Sequence, residues 1–279
     1  EDLELYRLDQ RDNVVRSNQK IRRLTIATLV LVQVGFNVLG ILYSSGTKHD
    51  KQIIYFLIMS LPRLVYSNMI IIFCVIVQVL HSRFRIVNLV QSKLRPKSDD
   101  FCSIVDHILS LHKILVRISR TVNSIFSIQL LLWIAGDFIL IVGDLYAAMV
   151  IVFVRTLLTH FHVFLGLMKN CLLLGLELFY LSKVCRDLCF EANRTKALLL
   201  DLKIDVHAEK EREAVVAAVL KLMNNSLQMT AMRFFSIDNR LLFSICGAAF
   251  SYLFIMLQLD LGVGQEEGNK LNVTIKKFD

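Results

Sequence analysis

Five apolar runs along this chain are long enough to cross a bilayer, and each is bounded by polar or charged residues: 24–44, 53–80, 125–154, 160–181 and 236–260. A membrane-crossing helix needs about 20 mostly apolar residues, so the pattern predicts five spans. The stretches between them follow a different period. From Phe101 onward, apolar positions 101, 104, 105, 108, 111, 115, 118 and 122 alternate with Asp106, His107, Lys113, Arg117 and Arg120. That spacing predicts an amphipathic helix rather than a span. Ser98, Asp99 and Asp100 supply N-cap chemistry just ahead of it. A second amphipathic helix is predicted over 209–232, with Val215, Val216, Val219, Leu222, Met223, Leu227 and Met229 on its apolar stripe. Residues 182–210 read as charged and mixed, and 261–279 as a polar, mobile tail. The fold class that follows is all-α, a multispanning transmembrane helical bundle with cytoplasmic amphipathic helices.

Composition agrees. Apolar residues make up 55% of the 279, and the mean hydropathy is +0.55, well above the range of a soluble domain. Only two prolines occur, which favours long, rarely broken helices. The chain opens on Glu1 in a basic, polar stretch with no secretory signal before the first span, and reads as the middle of a longer protein. Six cysteines lie in or beside apolar or inner segments, with spacing that suits neither a disulfide framework nor a metal site.

The charge bias sets an orientation. With residues 1–23 inside, the inner segments 1–23, 81–124 and 182–240 hold 24 Lys and Arg while the outer segments hold six. This asymmetry is the positive-inside signal, and it accounts for the net charge of +8 without a nucleic-acid partner. The division expected is a cytoplasmic segment 1–23, spans in 24–80, an inner helical part 81–124, spans in 125–181, an inner helical part 182–235, a last span 236–260, and an outer tail 261–279. Asn272, in Asn272-Val273-Thr274, is then a glycosylation candidate. The sequons at Asn193 and Asn224 face the cytoplasm.

Ionisable residues inside a span are costly and point to function or to pairing. Five occur here: Arg63, Asp137, Asp144, Lys169 and Glu177. Counting from the outer ends at 1.5 Å per residue, Arg63, Asp144 and Lys169 fall at a common depth of roughly 10–15 Å. Trp133 lies one turn from Asp137, while Tyr146 and Asn170 flank the upper group. An aromatic platform with a few polar groups is the make-up of a small-molecule pocket; ion pairs that merely hold the bundle together are the plainer reading. His160 and His162 read as interfacial residues. No HExxH, phosphate-binding glycine loop, G-x-S-x-G or paired Cys/His set occurs, so no enzyme constellation or cofactor site competes.

The last span carries the most specific sequence. Ser251 and Tyr252 are followed by five apolar residues, 253–257, then Gln258 and Leu259. This resembles the C-terminal signature of the insect gustatory receptor family, Thr-Tyr, five hydrophobics, Gln-Phe, with Ser for Thr and Leu for Phe. Phe234, Phe235, Ile237 and Asp238 resemble that family's lead-in to its last helix. The resemblance implies the last five of seven spans, an outer C-terminus, and a tastant-gated cation channel in the plasma membrane of sensory neurons. It implies a homo- or heterotetramer with other gustatory receptor subunits that passes monovalent and divalent cations, its inner helices packed into an anchor. Ser251, Tyr252, Ile255, Gln258 and Leu259 would then be pore and gate residues. Trp133, Asp137, Asp144, Lys169, Arg63, Asn170 and Tyr146 would form a pocket for a small-molecule tastant, with lipid around the spans. A secondary transporter using the mid-membrane charges is the alternative, and a membrane scaffold the third reading.

Overall fold

The computed structural model describes residues 50–92, 101–153, 157–201 and 209–275, with side chains at 65–92, 101–153, 161, 163–201 and 209–259. The expected first span at 24–44 lies outside the described residues. Four long helices make up most of the chain: α1 (Asp50–Gln91), α2 (Phe101–Phe153), α3 (Leu157–Leu200) and α5 (Asn239–Ile275). A short α4 (Glu209–Met223) and a hairpin of two-residue strands, β1 (Thr230–Ala231) and β2 (Phe235–Ser236), lie between α3 and α5. Each of the four long helices contains a stretch apolar and long enough to cross a membrane. The chain is a multispanning helical membrane protein.

The helices are longer than the spans. α2 has 53 residues and α3 has 44, about 80 and 66 Å at 1.5 Å per residue, against an apolar bilayer core of about 30 Å. The expected spans end at 80 and 181, where the sequence turns basic or mixed. Instead α1 runs unbroken to Gln91 and α3 to Leu200, because a helix leaving the membrane keeps its hydrogen bonds and changes only its outer face. The tail expected at 261–279 is helical as far as Ile275.

What holds the helices is an inward seam with a spacing of four and three. On α1 it runs Phe73, Val77, Leu80, Phe84, Val87, Gln91, and on α3 it runs Leu174, Leu178, Leu181, Cys185, Leu188, Ala192, Thr195, Leu199, all buried. This is the heptad repeat that lets helices pack side by side along their length. On the first part of α2, up to Arg120, the buried positions are Phe101, Val105, Ile108, His112, Val116 and Ser119. Beyond Ile108 this seam is rotated by one residue from the expected stripe, leaving Leu111 and Ile118 exposed. His112 and Ser119, polar residues outside the expected stripe, make their hydrogen bonds inside.

Two compact units divide the described residues: those up to Ser127 with Val184–Thr230, and Ile128–Lys183 with Ala231 onward. In the first, Phe101 and Val105 of α2, Leu199 of α3 and Val215, Ala218, Val219 and Leu222 of α4 form one apolar cluster. Phe73 and Phe126 add a tilted ring pair, 5.2 Å between centroids. α4 ends at Met223, nine residues short of the expected helix. Val216 and Met223 face outward, while Leu227 and Met229 are buried in the extended segment that follows. The likeness of 224–229 to a helical stripe arises because buried residues two apart in an extended chain happen to continue the helical count.

Candidate functional site

On α5 the packed and open faces are opposite each other. Ala249 (3% exposed) and Leu253 (8%) are buried, whereas Arg240, Ser244, Ser251 and Gln258 are exposed. Ser244, Ser251 and Gln258 are each seven residues apart, so at 100° per residue they share one face, about 10 Å between successive members. Ala249 and Leu253 each lie about 160° around the helix from Ser251. Ile255 and Leu259 are also exposed. Tyr252 is half exposed, with its ring set edge-on against Phe138 of α2 at 5.8 Å. The Ser251 hydroxyl donates to the Gly247 carbonyl at 3.0 Å and that of Ser244 to Arg240 at 3.1 Å. Such back-bonding hides a hydroxyl's proton in its own helix while leaving oxygen lone pairs outward.

α5 is entered through an unusual turn. Met232 and Arg233 have φ of 50° and 61°, and the Phe234 N–H donates to the Ala231 carbonyl at 2.9 Å. Two successive left-handed residues make a type I′ hairpin turn, which ordinarily takes Asn-Gly. For side chains with a Cβ that conformation costs about 1–2 kcal/mol per residue. Asp238 then caps α5, its Oδ1 accepting from the N–H groups of Arg240 (2.8 Å) and Leu241 (3.3 Å).

The expected pocket residues fall into two groups. Trp133 and Asp137, one turn apart on α2, are buried at 4% and 5% exposure along with Leu130 and Ile134. Asp144, Tyr146, Lys169 and Asn170 are half buried. Of these the structure joins Asp144 and Asn170, the carboxamide donating to the Asp144 carboxylate across the α2–α3 contact. Beside them Cys171 Sγ lies 3.8 Å from the Ile141 carbonyl oxygen. Asp137, Tyr146, Lys169 and Glu177 have interactions of their own. The side chains of Arg63, His160, His162 and Asn272 lie outside the described residues.

The sequence reading missed a polar network in the first unit. Asn88 of α1 donates to the Glu191 carbonyl (2.8 Å) and to Glu191 Oε1 (3.0 Å), and accepts from the Thr195 hydroxyl (2.7 Å). Gln91 Nε2 donates to the Thr195 carbonyl at 2.8 Å. His112 Nε2 lies 3.0 Å from the Ala192 carbonyl, which can only accept, so the ring is the donor. Burial pushes the His112 pKa down, the hydrogen bond to Ala192 opposing this in part, and Phe84 packs edge-on against the ring. Farther along, Asn193 of α3 makes a reciprocal pair with Leu227: its amide donates to the carbonyl at 3.0 Å and its oxygen accepts the N–H at 3.1 Å. Asn123 of α2 accepts the Thr230 N–H at 3.1 Å. Arg120 reaches the Ser226 carbonyl at 3.3 Å. The available signal was the heptad itself, which continues through Gln91 and Thr195 when polar residues are admitted to it.

The sequence pattern of the 7tm Chemosensory receptor family matches residues 2–262. The chain belongs to that family. Gustatory receptor 68a of Drosophila melanogaster is 27% identical to the receptor chain over 231 residues, a match covering 77% of this chain and 57% of that relative. The chain thus spans little more than half the length of the curated relative it matches. Among solved structures, the insect olfactory receptor OR5 of Machilis hrabei superposes with a TM-score of 0.66 at 13% identity, covering 89% of the receptor chain and 70% of OR5. The receptor therefore has the helical transmembrane fold of the insect chemoreceptors.

Proposed function

We propose that this receptor is a subunit of a tastant-gated cation channel, with α5 lining the pore. The observation that carries this reading is the open face of α5. A membrane helix gains nothing by pointing Gln258 away from its own bundle if lipid lies there, since a carboxamide in hydrocarbon lacks partners; Ser244 and Ser251, their protons held by their own helix, present oxygen lone pairs on the same face. Four copies around an axis give that face water and one another. In the closed state the rings of Leu259 and Ile255 exclude water; turning Gln258 inward hydrates the path for monovalent and divalent cations.

The ligand is a small polar tastant entering from the outer face. Trp133 supplies an aromatic wall, and Asp137, Asp144, Tyr146, Lys169 and Asn170, with Arg63, supply hydrogen bonds and charge. Its binding opens the pore only so far as it favours the open state. The inner helical parts 81–124 and 182–235 form the cytoplasmic anchor of a homo- or heterotetramer, the C-terminus is outside, and the plasma membrane of sensory neurons is the location. Patch-clamp recording of the full-length receptor with a panel of tastants tests the reading. Gln258→Ala is expected to change conductance or cation selectivity, and Asp144→Ala to move the dose–response curve at unchanged conductance. Wild-type behaviour in both variants would remove the site assignment, and absence of any current would remove the channel.

A further inference from the structure

The segment that leads into α5 is held by side chains while its turn is held against its own preference, and the two facts belong together. Leu227, Met229 and Ala231 are buried. Asn193 pairs with both backbone groups of Leu227, and Asn123 holds the N–H of Thr230, its Nδ2 lying 3.5 Å from the Thr230 hydroxyl. Immediately beyond come Met232 and Arg233, both left-handed without being glycine. Backbone in such a conformation persists only where its surroundings over-determine it. Here the turn closes the β1–β2 pairing, and the chain on either side of it is fixed by those two asparagines and by the Asp238 cap of α5.

We propose that Asn193 and Asn123 are positioning residues that hold the Met232–Arg233 turn under strain, and that the strain favours pore opening once the hold is loosened. This rests on the channel reading above. The resting receptor is the one with the segment clamped and the turn left-handed; turning α5 lets the turn relax. Two perturbations of opposite sign follow. Asn193→Ala frees the Leu227 backbone, weakens the hold on the resting state, and raises the ligand-free open fraction. The pair Met232→Asn with Arg233→Gly puts at the turn the residues that suit it, removes the strain from the resting state, and lowers that fraction. Both Met232 and Arg233 are exposed, so the exchange leaves the core untouched.

The test is the ligand-free caesium current of the full-length receptor, normalised to channels counted at the cell surface, together with hydrogen exchange of the purified protein. Asn193→Ala should raise current per channel about tenfold, a change equivalent to about 1.4 kcal/mol, and adding the Asn-Gly turn to that variant should bring the current back toward wild type. Exchange at the Leu227 amide should speed up in both Asn193→Ala proteins. A variant that lost only structure would lower surface density and would not be rescued by the turn. If tastants gate the wild type but neither variant alters the ligand-free current, the inference falls and the channel stands. If exchange at Leu227 is unchanged, the clamp itself is refuted, whether or not the receptor conducts.

Discussion

Replacing Asn88 with leucine is the sharpest test of how the first unit is held together. The side chain makes three buried hydrogen bonds: to the Glu191 carbonyl, to the Glu191 carboxylate and from the Thr195 hydroxyl. The loss is unevenly shared. Thr195 keeps its bond to the Ala192 carbonyl at 3.2 Å, but Glu191, itself buried, is left with Arg194 at 3.8 Å, whose side chain is half exposed. A hydrogen bond to a charged group contributes about 1.5–3 kcal/mol and a neutral one about 0.5–1.5, so Asn88→Leu should cost about 3–5 kcal/mol. For a chain of this size that is an apparent melting shift of roughly 6–20 °C, read by size-exclusion of heated, detergent-solubilised receptor. Removing both partners, Asn88→Leu with Glu191→Leu, should recover much of the loss, because no buried charge is then stranded. A single variant that melts with the wild type, or a double variant that is worse by the sum of the two singles, would refute the network.

Two further outcomes are expected. His112 is neutral in the folded receptor because burial depresses its pKa. Its site is fully stable above the ordinary histidine range; as pH falls below about 6.5 the unfolded chain takes up a proton that the buried ring resists. Stability should therefore drop toward pH 5.5 by at most about 1.4 kcal/mol per pH unit, and His112→Gln should flatten that part of the melting-versus-pH profile. Asp238→Ala removes the cap on the Arg240 and Leu241 amides and should cost about 1 kcal/mol, while Asp238→Asn should cost little, measured by the same melting assay.

The long helices were readable because hydrophobic period reports where a helix is apolar; the open face of α5 was not, since Ser251 and Gln258 stand out only by the family resemblance and Ser244 carries no signal of its own. Period does not say which polar residues turn inward. His112, Asn88 and Thr195 are as polar in sequence as their exposed neighbours, and only the carbonyls and carboxylate facing them make burial tolerable. The end of α4 was misread for a related reason: Leu227 and Met229 are as apolar as helix-stripe residues, and the contact that draws the chain out into an extended segment comes from Asn193, 34 residues away. The turn at Met232 and Arg233 had no signature at all, since neither residue type announces a left-handed backbone. Of the expected pocket, the Asp144–Asn170 bond joins residues that depth counting had placed near one another, but which face of α2 Trp133 takes is decided by packing.

The unbroken seam of α3, from Leu174 to Leu199, also restricts how this chain can change length. One residue added between Leu181 and Cys185 would swing everything downstream by 100°, carrying Leu188, Ala192 and Leu199 outward together. Seven residues restore the phase to within about 20°. Insertions and deletions in related chains should accordingly avoid α3 or come there in whole heptads, and its length is in that sense quantised.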